Sequence, residues 1–157
     1  MLDTLFGLPA HPLIVHATVV AVPAAALTIA LAALWPQFRA WAGPLPLLLS
    51  LTALILVPVT VKSGESLARR VDETALTHRH SDLGHDLLPW TVALSVGAVA
   101  LFWLSRREAR PRRTERPATA RLTAVALILL ALTGATGSAM QIVRIGHSGA
   151  EAAWTEP

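Results

Sequence analysis

Cysteine is absent from this chain of 157 residues. Without a thiol there is no disulfide, no thiolate-bound metal, no cysteine-ligated iron–sulfur cluster and no covalent attachment of a c-type haem. Charged residues are also scarce, at 15% of the chain, whereas hydrophobic residues make up 54%. Together with a mean hydropathy of +0.55, this composition is typical of an integral membrane protein.

Four apolar segments account for this composition. They run over approximately residues 13–35, 45–61, 90–105 and 122–143. A transmembrane helix needs about 20 apolar residues, so the first and last segments fit well and the other two lie near the short end. The segments leave only short loops and one modest polar stretch. The sequence therefore predicts an all-α, integral membrane four-helix bundle that forms a single domain over residues 1–157.

The first twelve residues, MLDTLFGLPAHP, contain Asp3 and no lysine or arginine. Signal peptides begin with a basic region, and their apolar part is shorter than the apolar segment that follows here. We therefore expect the first segment to be retained as a membrane-spanning helix.

Seven arginines set the expected orientation of the bundle. They lie between the third and fourth segments and are Arg106, Arg107, Arg110, Arg112, Arg113, Arg116 and Arg121. Short basic loops stay in the cytoplasm, so the Arg106–Arg121 loop is predicted to be cytoplasmic and both termini extracytoplasmic. The loop has no interleaved aromatic residues. Its basic charge therefore indicates contact with the lipid bilayer rather than with nucleic acid.

All six histidines fall on the predicted outer side, namely His11, His16, His78, His80, His85 and His147. His16 lies about one turn inside the first helix, where ionisable residues usually face the bundle interior or an aqueous cavity. His11 and His16 are five residues apart, or about 140° around a helix, so they do not form a ligand pair on one face. The glycines on either side of His147 suggest that the fourth helix ends there.

A short amphipathic helix is predicted in the outer loop between helices 2 and 3. Helical pitch places His78, Asp82 and His85 on one face of it, while His80 points elsewhere. Two imidazoles and a carboxylate can bind a metal ion, so a copper or zinc site would use His11, His78, Asp82 and His85. The same spacing also suits a solvated helix end without a ligand.

The opening PAHPLIVHATVVAVP, the region of His85 and the closing VRIGHSGAEAAW resemble the bacterial membrane proteins of domain-of-unknown-function family 2231. The likeness covers nearly the whole chain, and the His11-Pro12 pair with His16 is its most specific part. It implies a four-helix bacterial inner-membrane unit without an established activity. It also implies redox chemistry, because some members carry this unit beside cytochrome c or Rieske modules. Many members have a Phe-Pro pair where this chain has Ala17-Thr18, so the packing of that turn is not carried over.

Three functions remain open at this point. The first is a b-type haem protein for electron transfer, with haem b bound by His16 together with His85 or His147. The second is the copper- or zinc-binding protein built on the outer-loop histidines. The third is a structural or accessory membrane subunit in which His16 bonds to a carbonyl freed by a helix kink. A redox protein, another membrane-complex protein or a second copy of the chain would be the partner.

We do not expect catalysis by this chain alone. Neither a serine–histidine–acid motif nor a glycine-rich phosphate loop is evident. The Ser63-Gly64-Glu65-Ser66 stretch lacks the strand and elbow that a hydrolase nucleophile requires. The sequence shows no internal repeat or inverted half of the kind found in transporters.

Overall fold

The computed structural model describes residues 4–5, 8–69, 74–110 and 118–154. A short antiparallel strand pair comes first, with Thr4 opposite Pro9 and Leu5 opposite Leu8. The elements follow in the order β1 (Thr4–Leu5), β2 (Leu8–Pro9), α1 (Ala10–Leu34), α2 (Pro36–Ala42), α3 (Leu45–Ala68), α4 (Ala75–His85), α5 (Leu87–Glu108) and α6 (Ala118–Trp154). Apart from the strand pair, the described elements are helical, as the sequence predicts.

Helix boundaries coincide with residues that favour them. The Thr74 hydroxyl accepts a hydrogen bond from the Thr77 backbone N–H, and the Thr77 hydroxyl accepts one from the Thr74 N–H. This reciprocal capping satisfies two free donors at the start of α4. Pro36 is the first residue of α2, where its missing N–H costs nothing. Gly43 follows α2 with a φ of 55°, which favours a residue without a side chain.

Four helical stretches are long and apolar enough to cross a membrane, namely His11–Leu34, Leu45–Ala68, Ala75–Glu108 and Ala118–Glu151. The second and third spans belong to α3, of 24 residues, and α5, of 22 residues. At 1.5 Å per residue these helices are about 36 Å and 33 Å long, which suffices for a hydrocarbon core of about 30 Å. Both are longer than the apolar segments indicate, because polar turns extend each helix beyond its apolar part.

The bundle packs through small residues. Neighbouring spans are antiparallel, and alanine is the commonest residue in the buried core. A Cβ on Gly97 would lie 2.6 Å from the Ala131 Cα, and one on Gly134 would lie 2.7 Å from the Leu94 nitrogen. Only glycine lets α5 and α6 approach so closely at these points. These small residues therefore serve close packing of the last span against α5.

The two ends of the bundle differ in chemistry. The arginine end comprises α2, the end of α5 and the start of α6, with Arg39, Arg106, Arg107, Arg110 and Arg121. Arg39 is 5% exposed, and its Nη2 donates to both carboxylate oxygens of Glu108 at 3.0 Å. The histidine end comprises the start of α1, the end of α3, α4 and the end of α6. It bears all six histidines, which share one end as predicted.

The end of the last helix differs from its prediction. α6 continues through Gly146 and Gly149 as far as Trp154, so the helix end expected near His147 is wrong. The reason is packing: α4 lies against these last turns and contacts them, for example through Arg79 and Glu151 at 3.4 Å. α4 itself occupies the position of the predicted short helix between the second and third spans.

Candidate functional site

His11 and Ser63 join the first turn of α1 to the end of α3. His11 Nδ1 lies 2.9 Å from the Oγ of Ser63, a residue that is only 2% exposed. The same hydroxyl donates a 2.8 Å hydrogen bond to the backbone carbonyl of Thr60. A serine hydroxyl has a single hydrogen. Because that hydrogen goes to the carbonyl, the Ser63 oxygen accepts a hydrogen bond from His11.

His80 and Ser148 repeat this arrangement between α4 and α6. His80 Nδ1 lies 3.0 Å from Ser148 Oγ, and the hydroxyl donates a 3.0 Å hydrogen bond to the Ile145 carbonyl. Ser148 is also buried. The Ser148 oxygen therefore accepts from His80 by the same reasoning.

In both units, the contact with the serine indicates which ring nitrogen of the histidine carries the hydrogen. With the hydrogen on Nδ1, a neutral imidazole has its lone pair on Nε2. Metal-binding histidines are held in this way, since one nitrogen donates to an acceptor while the other binds the metal. Besides its contact with Ser63, His11 also interacts with the backbone of Thr60 near the end of α3.

A glycine follows each serine and lies against the histidine ring. A Cβ on Gly64 would lie 3.0 Å from His11 Cε1, and one on Gly149 would lie 3.0 Å from His80 Cε1. Any side chain there would require the ring to shift. We call each set a histidine–serine–glycine unit, the first being His11, Ser63 and Gly64 and the second His80, Ser148 and Gly149.

The two units lie at the same end of the bundle, the histidine end. In the first unit, α1 supplies the histidine and the end of α3 supplies the serine and the glycine. In the second unit, α4 supplies the histidine and the end of α6 supplies the serine and the glycine. The histidine end thus contains the same arrangement twice, built from four different helices.

His85 has both ring nitrogens engaged. Its Nδ1 donates to the Ser81 carbonyl at 2.9 Å, and its Nε2 lies 3.1 Å from Glu65 Oε1. Within the Ala75–Glu108 stretch, His85 ends the polar helix α4 and precedes α5, the apolar helix that is by itself long enough to cross the bilayer. The Ser81 carbonyl, and next the Glu65 carboxylate, raise the pKa of His85 above 6.5 because both accept hydrogen bonds from the protonated ring.

His16 is exposed on the surface of α1, so it does not face the packed interior of the bundle, which is one of the two environments expected for it. Its Nδ1 lies 2.6 Å from the Pro12 carbonyl, one turn earlier in α1. His11 and Thr18 share the face of α1 that packs on α3, where the Thr18 hydroxyl lies 2.6 Å from that of Thr60. His16 is about 140° from His11 around the helix, which turns it away from that face.

The three histidines predicted as haem ligands each contact a different part of the protein. His147 is exposed, and its Nε2 lies 3.2 Å from Glu151 Oε1 within α6. His16 bonds to the carbonyl of Pro12 within α1, and His85 contacts Ser81 and Glu65. A haem site made of His16 together with His85 or His147 stays a prediction.

The predicted copper or zinc ligands are spread over the histidine end. α4 is helical through His78, Asp82 and His85, as expected, and all three are exposed. His11 instead contacts α3. Among the described residues, no group of three or more histidine, aspartate or glutamate side chains is placed to hold a metal ion. A metal site made of the four predicted residues stays a prediction.

None of the predicted sites includes His80, Ser63 or Ser148. His80 and Ser148 are 68 positions apart, and only the packing of α4 on α6 brings them together. The signal that could have found them is the Ser-Gly pair near the ends of both α3 and α6. Two residues are too few to stand out as an internal repeat.

The apolar helices define the class of this protein: it is a membrane protein with four helices capable of spanning a bilayer. More particularly, the chain belongs to the family of predicted membrane proteins DUF2231, whose model matches residues 7–156. The resemblance seen in the sequence is therefore confirmed. No curated protein and no solved structure matches the chain.

Proposed function

We propose that this chain is a non-catalytic accessory subunit of the bacterial inner (plasma) membrane. Its histidine end lies at the outer face and its arginine end in the cytoplasm, so that both termini and α4 are extracytoplasmic. The observation that carries the proposal is the separation of histidines and arginines to opposite ends of an apolar bundle. The partner is a redox protein, another membrane-complex protein or a second copy of the chain.

The arginine end supports this orientation. Arg106 and Arg107 lie in the last turn of α5, where their guanidinium groups stack over Phe102 at 5.2 Å and Trp103 at 3.7 Å. Stacked arginines and aromatic rings of this kind suit the boundary between lipid and water. Basic residues close to the end of a span remain in the cytoplasm during insertion. The arginine end is therefore the cytoplasmic end in our proposal.

The serines of the histidine end support a role other than catalysis. A catalytic serine gives its hydroxyl hydrogen to an imidazole, which acts as the base. Ser63 and Ser148 have the opposite polarity, because each donates to a carbonyl and accepts from a ring. With Nδ1 as the donor in both units, neither His11 nor His80 accepts the hydrogen of its serine. These contacts position the rings and do not activate a nucleophile.

Exposed apolar side chains support a subunit embedded in lipid and in contact with other spans. Large examples occur on every spanning helix, such as Val20, Ile55, Val99 and Leu129, which are between 53% and 69% exposed. Burial of such surface against lipid or a partner helix is favourable.

The natural lack of cysteine permits a direct test of the orientation. Ala150→Cys places a thiol at the histidine end, and Ala109→Cys places one at the arginine end; both positions are exposed. We expect a membrane-impermeant maleimide to label Ala150→Cys in intact spheroplasts and Ala109→Cys only after permeabilisation. Ala126→Cys, on the exposed apolar face of α6, is the control that resists labelling in both conditions. The reverse labelling of the first two variants contradicts the orientation.

The accessory role is tested separately by native mass spectrometry after gentle solubilisation from the source membrane. We expect the chain at a fixed ratio with a second polypeptide or a second copy of itself. A chain that is released only as a monomer of 16.7 kDa contradicts the accessory role.

A further inference from the structure

We propose that an open groove on α6 binds one anionic phospholipid, with an acyl chain along the groove and the phosphate at Arg144. The groove has a volume of about 470 Å³, and α6 forms it together with Trp90 from the start of α5. A volume of this size is typical of ligand sites in proteins, which measure about 300–1,000 Å³. The site goes beyond the accessory role. It requires only that the bundle lies in a bilayer, in either orientation.

The groove has the length of one lipid molecule. It follows one face of α6 from Leu129, near the middle of the Ala118–Glu151 span, to Arg144 at the histidine end. Arg144 follows Leu129 by fifteen residues, so the groove is about 22 Å long at 1.5 Å per residue. One leaflet of a bilayer with its headgroups is about 20–22 Å thick. A lipid in the groove would therefore have its headgroup at the level of Arg144.

The charge at the histidine end of the groove favours an anionic headgroup. Arg144 is the only charged residue among the described residues that line the groove, and it is exposed. Glu151, two turns later on α6, pairs with Arg79 and His147 instead. None of the ion pairs in the described part of the chain includes Arg144. A guanidinium group is well suited to a phosphate, because it donates two parallel hydrogen bonds to the phosphate oxygens.

The rest of the groove suits a hydrocarbon chain. Leu129 and Met140 are exposed apolar residues of its lining. Two polar residues between and beside them already have partners within the protein. The Thr133 hydroxyl donates to the Leu129 carbonyl, and the amide of the buried Gln141 donates to the Leu83 carbonyl at 2.8 Å. Because these donors are satisfied, contact with an acyl chain leaves neither of them unpaired.

Trp90 gives the groove a fixed wall near its headgroup end. Its ring lies directly on Gly137, since a Cβ at that glycine would overlap the indole. The hydroxyl of Ser138 donates to the Trp90 carbonyl at 3.1 Å, which holds this part of α5 against α6. Tryptophan is favoured at the boundary between hydrocarbon and headgroups. The wall therefore exists before a lipid binds, as in most ligand sites.

The headgroup is tested with two lipids that have identical acyl chains. The full chain in detergent micelles is titrated with phosphatidylglycerol or phosphatidylcholine, and native mass spectrometry measures the first lipid bound. We expect phosphatidylglycerol to bind at least about five-fold more tightly, which is the contribution of one arginine near an anionic lipid surface. Arg144→Gln is expected to abolish this preference. The matched control Arg121→Gln removes an exposed arginine at the other end of α6 and should retain it.

The acyl chain is tested by filling the groove. Thr136 lines the groove and is exposed, so Thr136→Phe places a ring in the space that the chain needs. We expect both lipids to bind this variant at least about ten-fold more weakly. Thr123→Phe is the matched control, because Thr123 is an exposed threonine of the same helix outside the groove. It should bind both lipids like the wild-type chain, and circular dichroism confirms that the helices of every variant are intact.

The proposal is overturned if the wild-type chain binds the two lipids equally, or if Arg121→Gln lowers the preference as much as Arg144→Gln. It is also overturned if Thr136→Phe binds both lipids like the wild-type chain while folded. Met140→Cys tests for a protein in place of the lipid, because the chain has no other cysteine. After oxidation in membranes we expect this variant to stay monomeric. Extensive disulfide-linked dimers would assign the groove to a second copy of the chain and overturn the proposal.

Discussion

The arginine end and the histidine end both use polar side chains to join helices, but with different results. At the arginine end, Arg39 donates to both oxygens of Glu108 and to the Ala32 carbonyl. At the histidine end, the contacts of His11 and His80 are made with serine hydroxyls and leave one ring nitrogen each with a lone pair. At the arginine end, the guanidinium group of Arg39 is satisfied by acceptors of the protein itself. At the histidine end, each ring has one nitrogen that carries a lone pair instead of a hydrogen.

This difference indicates separate roles for the two ends. A buried charge is strongly destabilising when its partner is lost, so an ion pair such as Arg39–Glu108 fixes the arrangement of α1, α2 and α5. A hydrogen bond between neutral groups contributes less to stability, about 1 kcal/mol. The serine–histidine contacts are therefore more important for the orientation of the rings than for the stability of the bundle.

The largest expected effect is at the arginine end. Arg39→Ala leaves the Glu108 carboxylate unpaired and the Ala32 carbonyl without this donor, and we expect the free energy of unfolding to fall by about 3 kcal/mol. Unfolding in mixed micelles, followed by circular dichroism, measures the change. The control Arg110→Ala removes an exposed arginine and should stay within about 0.5 kcal/mol of wild type. Equal stability of the two variants would show that the pair does not hold this end together.

The second-largest expected change in stability concerns the packing of α5 on α6, two helices that run from one end of the bundle to the other. A methyl group at Gly134 meets the backbone of Ala93 and Leu94, so Gly134→Ala should destabilise the bundle by about 1–3 kcal/mol. Gly146 lies in the same helix with open space around it. Gly146→Ala should stabilise the protein by up to about 1 kcal/mol through helix propensity. The same unfolding assay applies, and a gain in stability for Gly134→Ala would contradict the close packing.

A smaller effect tests whether the two histidine–serine–glycine units are equivalent. Ser63→Ala and Ser148→Ala each remove the acceptor of a histidine Nδ1, and each should cost about 1 kcal/mol. Thr133→Ala is a matched control, because that exposed hydroxyl bonds only to a carbonyl of its own helix. If one serine proves necessary and the other behaves like Thr133, the units are not equivalent.

The smallest effect is a pH dependence at His85. The folded protein raises the pKa of this residue, so its contact with Glu65 stabilises the fold fully below the unfolded value of about 6.5. That contribution is lost as the pH rises through the higher folded pKa. We expect Glu65→Gln to reduce the difference in unfolding free energy between about pH 5.5 and pH 8.5. A variant with an unchanged pH dependence would show that this exposed pair contributes nothing measurable.

The sequence predicted the helices well and their ends poorly. Apolar segments located all four spans, since burial in lipid requires long apolar runs whatever the tertiary contacts. The polar ends of α3 and α6 were missed, because their stability comes from packing that hydropathy does not measure. Gly146 and Gly149 suggested the end of a helix, yet contacts with α4 maintain α6 beyond them.

The candidate site was harder to predict. Helical periodicity placed His11 and His16 on different faces but did not say which of them faces the bundle, and His16 proved to be the exposed one. The partner of His11 is 52 residues away and that of His80 is 68 residues away. Such contacts depend on how the hairpins pack, which no local pattern in a single sequence encodes.

The most direct test of this account is the tautomer of His11 and His80. Nitrogen-15 NMR of histidine-labelled protein distinguishes a protonated Nδ1 from a protonated Nε2, and His11→Asn and His80→Asn assign the two signals. Above the pH at which the rings are protonated, we expect both to be neutral with the hydrogen on Nδ1. A hydrogen on Nε2 of either ring would contradict the contacts described for Ser63 and Ser148, because the lone pair would then lie on Nδ1, the nitrogen that faces the serine.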